Sequence, residues 1–377
     1  MARILALDLL LHAYLGVRIL PDLPGGWPAI AFVALAFAAT AVALPLGFIG
    51  RRARRQPLAD RLTFAGYLAV GAFSSLLVLT LARDATLLVA ALLPETLVPP
   101  GAFATLRSHT AAAVPLLGIA LTIAGFWNAR RVPRVKRVDV PIAGLPAALH
   151  GFSIVQLSDL HVGPTIKGRH VDAIVDRVNA LRADLIAVTG DLVDGSVREL
   201  AAHTRPLGRM AARHGAYVVT GNHEYYSGVH AWIAELRGLG LRVLVNEHVR
   251  LHHDGASLVV AGVTDFGAGR FVAGHASDPH RALAGAPDDD LRVLLAHQPS
   301  SAFEAQRAGA HLQLSGHTHG GQFFPWNLVV RFYQPFTAGL HRLEGLWVYV
   351  SRGTGYWGPP KRIGAPAEIT RLRLVPA

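Results

Sequence analysis

Gly316-His317-Thr318-His319-Gly320-Gly321-Gln322 sets two histidines at positions i and i+2 among glycines. Such a stretch has little packing value, and its glycines suit close approach of backbone to a ligand. Working outward from it, four more motifs of the same character precede it. They are Asp159-Leu160-His161, Gly190-Asp191, Gly221-Asn222-His223-Glu224, and His297 within Ala296-His297-Gln298-Pro299. Each alone has a structural explanation, since Gly-Asp is a turn signal and Asp-x-His is common at loop ends. In this order, and at the ends of apolar runs, they read together as the ligand set of a two-metal phosphoesterase.

That chemistry requires such residues. Hydrolysing a phosphate ester at neutral pH needs a nucleophilic hydroxide and neutralisation of the phosphoryl charge, and two divalent ions roughly 3.5–4 Å apart supply both. A carboxylate must bridge the ions. Asp191 is the natural candidate, because it follows the apolar run Leu185–Val188 and so stands at the carboxyl edge of a buried strand, where open α/β sheets place their sites. Imidazole and carboxylate ligands with an amide oxygen suit Mn, Fe or Zn better than Mg.

From about Gly151 to the C-terminus this constellation resembles the calcineurin-like metallophosphoesterases. The resemblance implies that Asp159, His161, Asp191 and His319 hold one ion, and that Asp191, Asn222, His297 and His317 hold the other. It implies a catalytic role for His223, which donates a proton to the leaving oxygen or steadies the phosphoryl group, with Glu224 orienting its ring. The implied fold is α/β, a four-layer αββα sandwich with the metal site on loops at one edge of two packed sheets. Gly316–Gln322 followed by Ser351-Arg352-Gly353-Thr354-Gly355 and Pro366-Ala367-Glu368-Ile369 is similar to the membrane-associated bacterial branch of the family. Some members of that branch act on UDP-2,3-diacylglucosamine, and others are general phosphodiesterases. The branch often ends in Pro-Pro-Glu-Ile, so Ala367 is a small departure. Arg352 has two readings, a bidentate contact to substrate phosphate or a structural ion pair. His203, His214, His230, His252, His253, His275 and His280 are assigned no ligand role.

The N-terminal part differs in kind. Hydrophobic residues make up 51% of the 377 and charged ones 16%, and the apolar excess is concentrated in long runs before residue 130. Pro28–Gly50, Leu62–Ala82 and Thr110–Ala129 carry no charge, and about 20 apolar residues suffice to span a bilayer. Ile4–Leu20 reads as a fourth span whose Asp8, His12 and Arg18 face other helices, with an amphipathic interfacial helix as the alternative. Ala85–Leu93 is too short to cross and reads as interfacial or re-entrant. The expected organisation is therefore a transmembrane bundle of about four helices over 1–129, a basic, Pro-containing linker over 130–150, and the metallophosphoesterase domain over 151–377.

Arg51, Arg52, Arg54 and Arg55 follow the second span, and Arg130, Arg131, Arg134, Lys136 and Arg137 follow the last. Positive loops stay on the cytoplasmic side, which predicts an inner-membrane protein with a cytoplasmic catalytic domain. Residues 1–137 hold 14 of the 36 basic and 5 of the 25 acidic residues, a balance of +9 out of +11. The basicity thus belongs to the membrane half, where topology and anionic headgroups explain it, and no nucleic-acid partner is expected. The absence of cysteine rules out disulfides and thiolate ligands.

In the catalytic half strands are expected at Phe152–Leu157, Asp184–Thr189, Ala216–Thr220, Ser257–Ala261, Leu291–Leu295, Leu312–Leu314 and Leu346–Val350, with Ile369–Leu374 as a final edge strand. Helices are expected near Arg169–Leu181, Ser196–Arg213, Ser227–Leu239 and Ser301–Gly309. The apolar segment Phe323, Phe324, Trp326, Leu328, Val329, Val330, Phe332 and Tyr333 fits a lipid-facing groove or an ordinary core strand. The resulting expectation is a membrane-anchored hydrolase of a phosphodiester or pyrophosphate, with membrane lipids as partners and a lipid-linked nucleotide as one candidate substrate. The alternatives are a phosphodiesterase or phosphatase of another nucleotide or envelope substrate, and a non-catalytic, metal-holding membrane scaffold. A transport role for the spans is disfavoured, because they hold few ionisable groups.

Overall fold

The computed structural model describes residues 2–50 and 56–377, so Arg51, Arg52, Arg54 and Arg55 lie outside the described residues. The chain divides into two compact units, Met1–Asn128 with Gly358–Lys361, and Ala129–Trp357 with Arg362–Ala377.

The first unit is helical: α1 (Ala2–Ile19), α2 (Gly26–Ala43), the short α3 (Leu46–Gly50), α4 (Gln56–Leu92) and α5 (Pro100–Arg130), the last running into the second unit. Among the described residues four helical stretches are long and apolar enough to cross a membrane. Leu15, Ile19, Val33, Phe37, Phe73, Leu76 and Val114 form its buried cluster. In α1 Asp8 and His12 turn inward, while Arg18 is exposed and pairs with Asp84. Asp8 and His12 are buried, with His12 Nδ1 2.9 Å from the Asp8 carboxylate and Nε2 3.1 Å from Thr40 Oγ1. The stretch Ala85–Leu93 is not a separate interfacial or re-entrant segment. It continues α4 to Leu92, because no helix breaker occurs before Pro94.

In the second unit, alternation along the strands sorts side chains into three cores. The strands are β1 (Arg134–Ile142), β2 (Ser153–Leu157), β3 (Leu185–Thr189), β4 (Ala216–Val219), β5 (Arg242–Val243), β6 (Glu247–His253), β7 (Ala256–Gly262), β8 (Leu291–Leu295), β9 (Leu312–Ser315), β10 (Gly339–Leu343), β11 (Leu346–Val350) and β12 (Glu368–Pro376). They form two six-stranded mixed sheets, ordered β1-β12-β2-β3-β4-β5 and β10-β11-β9-β8-β7-β6. Ile154, Ala187, Val219, Val260, Val293, Leu314 and Tyr349 meet between the sheets. Val155, Val188 and Val218 point the other way, against α6 (Gly168–Asn179), α7 (Val197–Thr204) and α9 (Val229–Gly238). Val259, Leu294 and Val348 face α10 (Pro279–Leu283) and α11 (Ala302–Arg307). Helices on both outer faces of two stacked sheets make the αββα sandwich.

Three expectations are corrected here. The segment read as a linker over 130–150 contains β1, which pairs in parallel with β12 through all nine residues from Arg134↔Glu368 to Ile142↔Pro376. As a result Ile369–Leu374 is not an edge strand: it pairs with β2 on its other side. The charges of Arg134, Lys136, Arg137 and Asp139 mask a strand that needs only one buried stripe, supplied by Val140 and Ile142. The helix expected over Ser196–Arg213 stops at Thr204 and passes into a 3-10 turn, Arg205–Arg209, that contains Pro206.

Candidate metal centre

The five motifs all follow strand ends. Asp159 and His161 follow β2, Asp191 follows β3, and Asn222 and His223 open the short helix α8 (Asn222–Tyr226) after β4. His297 follows β8, and His317 and His319 follow β9. Neighbouring strands of both sheets thus deliver their carboxyl ends to one edge. The backbone there is strained. Asp159, His161, Asp191, His317 and His319 all have positive φ, between 51° and 69°, a region that costs a non-glycine residue on the order of 1–3 kcal/mol. Close approach is built in as well. A Cβ on Gly221 would lie 2.2 Å from Asp191 Oδ1, and one on Gly316 would lie 2.2 Å from Asp159 Oδ2.

Two groups of side chains have the donor types and spacing to hold a metal ion: Asp159, His161 and His319, and Asp191, His297 and His317. In the first, His161 Nε2 lies 3.1 Å from His319 Nε2, and His319 Nε2 is 3.4 Å from Asp159 Oδ1. In the second, His297 Nε2 lies 3.2 Å from His317 Nδ1 and 3.1 Å from Asp191 Oδ2. Asp191 Oδ2 is also 3.9 Å from His161 Nε2, so this one carboxylate faces both groups. Backbone groups aim the carboxylates: the N–H of His317 donates to Asp159 and that of His223 donates to Asp191 Oδ1. His297 Nδ1–H donates to the Thr189 carbonyl at 2.7 Å, which turns Nε2 toward Asp191.

The residues fit divalent ions. Among the described residues Asn222 Oδ1, which is buried, has no hydrogen-bond partner, an uncompensated acceptor that costs free energy unless something electropositive meets it. Imidazole nitrogens face one another, and the buried carboxylates Asp159 and Asp191 converge on them. Burial raises the Asp159 carboxyl, and the Asp191 charge adds to this. Burial also opposes ionisation of Asp191, but His297 beside it holds the carboxyl well below its ordinary range. Burial and neighbouring His297 push His317 down to about 3, so its ring is neutral and able to ligate.

A third group, His161, Asp194 and His223, brings in a residue that the sequence reading missed. Asp194 Oδ1 accepts from His161 Nδ1 at 2.9 Å and from His223 Nδ1 at 2.6 Å, so one carboxylate fixes the tautomer of both rings. The signal was present as the second acid in Gly190-Asp191-Leu192-Val193-Asp194-Gly195. The expected role of Glu224 is corrected accordingly. Its carboxylate accepts backbone N–H groups of Gly221 at 2.7 Å, Leu192 at 2.7 Å and Asp191 at 3.0 Å, and so holds the two ligand loops together instead of orienting His223. Arg352 pairs with Glu368 at 3.3 Å, the structural member of its two readings. Arg362, also missed, is buried with its guanidinium 2.9 Å from His319 Nδ1 and donates to the carbonyls of His319 and Arg352. Among the described residues, none of the seven histidines set aside above joins a three-ligand group.

A family model for calcineurin-like phosphoesterases matches residues 152–321. A bovine "transmembrane protein with metallophosphoesterase domain" is 43% identical over 265 residues, 67% of this chain and 60% of the relative. An uncharacterised metallophosphoesterase of Helicobacter pylori is 37% identical over 67% of this chain and 66% of its own length. One from Aquifex aeolicus is 32% identical over 64% of this chain and 91% of its own. The chain spans 60% of the length of the bovine relative and of its zebrafish counterpart.

Proposed function

Because the chain belongs to the calcineurin-like metallophosphoesterases, we propose that it is a membrane-anchored, two-metal hydrolase of a phosphodiester or pyrophosphate. The observation that carries this reading is Asp191 Oδ2, shared between two separate ligand groups at 3.1 Å from His297 and 3.9 Å from His161. In this reading Asp159, His161, Asp191 and His319 hold one divalent ion, and Asp191, Asn222, His297 and His317 hold the second. When bound, such ions supply charge neutralisation at the phosphoryl oxygens and a nucleophile at neutral pH. The donor set favours Mn, Fe or Zn over Mg.

The remaining steps fall to the chain. Asp194 Oδ1 accepts from His223 Nδ1–H and so directs Nε2, which lies 4.0 Å from Asp191 Oδ2, toward the reacting group. Carrying a proton on both nitrogens, the ring would give the Nε2 proton to the leaving oxygen and keep the one on Nδ1 for Asp194. Glu224 keeps the loops bearing Asp191 and Asn222 in register through three backbone hydrogen bonds. The arginine distribution supports an inner-membrane protein with its catalytic unit in the cytoplasm. The anchor supports a lipid-linked substrate such as UDP-2,3-diacylglucosamine, with membrane lipids and no nucleic acid among its partners.

The test is incubation of detergent-purified, Mn-loaded protein with UDP-2,3-diacylglucosamine and product identification by mass spectrometry. Release of UMP and the lipid 1-phosphate that requires both metal and Asp191 is the expected outcome. Turnover of an aryl phosphodiester without cleavage of that lipid would keep the chemistry and discard the substrate. No metal-dependent turnover of either would leave a metal-holding scaffold.

A further inference from the structure

The apolar segment after the Gly316–Gln322 loop is not a core strand. Phe323 alone is buried. Trp326–Val329 makes one helical turn (α12) and Val330–Phe332 a 3-10 turn, and neither has a buried residue. Phe324, Trp326, Leu328, Phe332 and Tyr333 are exposed, Phe332 by 87% and Tyr333 by 76%. Large apolar side chains grouped in this way mark a surface that meets something other than water.

The segment is held at both ends. Gln322 Nε2 donates to the Trp357 carbonyl and Gln322 Oε1 accepts from the Trp357 N–H, each at 3.0 Å. At the other end buried Gln334 accepts from Ser300 Oγ at 2.8 Å and donates to Gln298 at 3.2 Å, and Gln298 adjoins His297. Gly321, at φ +76°, packs so close to the segment that a Cβ there would lie 2.1 Å from Asn327 Cα. The exposed rings are therefore presented on a backbone fixed to the two loops that carry His297 and His319.

Composition and connectivity select the occupant. Phe, Trp and Tyr with a neighbouring Arg331 are the residue types that settle at the headgroup level of bilayers. No Asp or Glu occurs between Glu304 and Glu344, so nothing in this stretch repels anionic lipid. The chain carries its own candidate spans, and three residues separate the end of α5 at Arg130 from β1 at Arg134, about 10 Å when extended.

We propose that Phe324–Tyr333 is a lipid-docking element whose aromatic rings insert into the headgroup region of the bilayer. Its attachment beside His297 and His319 lets a lipid phosphodiester reach those residues without leaving the membrane. The substrate part of this inference rests on the hydrolase reading above, and the docking part does not.

Because the chain has no cysteine, Phe332→Cys gives a single labelling site in the full-length protein. The experiment attaches an environment-sensitive fluorophore there, reconstitutes the protein in phosphatidylcholine–phosphatidylglycerol vesicles, and adds lipids with a quencher near the headgroup. Asp288→Cys, at a side chain 97% exposed, is the control. The Phe332→Cys label is expected to lose about half its emission or more, as shallow insertion requires, while the control loses little. A label as wet and as unquenched as the control would overturn the proposal. So would a label shielded from water but untouched by quenching lipid, which would point to a second copy of the chain. The triple variant Phe324→Ser, Trp326→Ser, Phe332→Ser is expected to hydrolyse a lipid phosphodiester in vesicles about tenfold more slowly, at an unchanged rate on a soluble aryl phosphodiester. Equal loss on both substrates would overturn the role in lipid access. If the wild type hydrolyses neither, the hydrolase reading fails and the quenching result alone decides docking.

Discussion

Buried ionisable groups gather in both units, and they are resolved in opposite ways. In the helical unit Arg83 donates to Asp22, to the carbonyls of Arg18 and Arg107, and to Thr110. Arg107 also binds Asp22, while Arg18 and Tyr14 bind Asp84. Every carboxylate in that cluster meets a guanidinium. In the second unit Asp159, Asp191 and Asp194 converge with five imidazoles, ring nitrogens face each other at 3.1 and 3.2 Å, and Asn222 Oδ1 meets no partner among the described residues. Burial of ionisable groups is common to both clusters, so burial alone does not mark a functional site. The convergence of two three-ligand groups on one shared carboxylate does, because a structure stabilised only by its own pairs has no use for it.

The strongest way to break this contrast is Asp191→Ala. Removing the carboxylate that faces both ligand groups is expected to empty both of metal and lower turnover by about a thousandfold or more, a loss at the upper end of what one charge-stabilising group contributes. Metal analysis of the purified variant, read beside turnover, checks it. A variant that retained both ions and full rate would reduce Asp191 to a structural acid like those in the helices.

Arg83→Ala sharpens the comparison from the other side. It leaves Asp22 with Arg107 alone and strips a side chain only 2% exposed from its cluster, which is expected to cost roughly 3–5 kcal/mol of stability. Thermal melting in detergent should show the loss. Metal content and turnover per folded chain should not change, and a parallel fall in metal content would mean that this cluster does more than hold helices together.

Asp194→Asn is the intermediate case. An amide still fits the space but cannot serve as a charged acceptor for both His161 and His223. Loss of such an orienting carboxylate typically costs 10–100-fold in metal affinity or activity. Comparing kcat with metal affinity separates its two partners, since a change in kcat at saturating metal reports His223 and a change in affinity reports His161.

What the sequence revealed divides along the same line. The ligand motifs were legible because glycine, histidine and aspartate at strand ends have no packing purpose, and apolar runs such as Leu185–Val188 carry their own strand signal. Asp194 and Arg362 were not, because their roles depend on contacts across 33 and 43 residues, and the second acid of Gly190–Gly195 does not by itself show that it serves two imidazoles. β1 was hidden by its charges, and its pairing with β12 spans the whole second unit. The exposed state of Phe332 was equally unreadable, since an apolar run looks the same whether it faces a core or lies on the surface.

The smallest expected effect is a count of protons. Burial disfavours a charged His161, yet the Asp194 carboxylate, with Asp191 and Asp159, overrides this and raises the ring to about 9. A raised value means that the ion-free ring is protonated throughout the range below about pH 9. Nδ1–H is committed to Asp194, so the proton that a cation must displace is the one on Nε2. Metal uptake at pH 7 is therefore expected to release a proton from His161, and apparent affinity should rise with pH until the ring is neutral, by about tenfold per unit for each proton released. Titration calorimetry in two buffers of different ionisation enthalpy counts those protons. Asp194→Asn removes the charge that raises the ring and should lower the count at pH 7. No proton released by the wild type would mean that His161 is already neutral in the ion-free protein, whereas an unchanged count of one would mean that Asp191 and Asp159 keep the ring charged without Asp194.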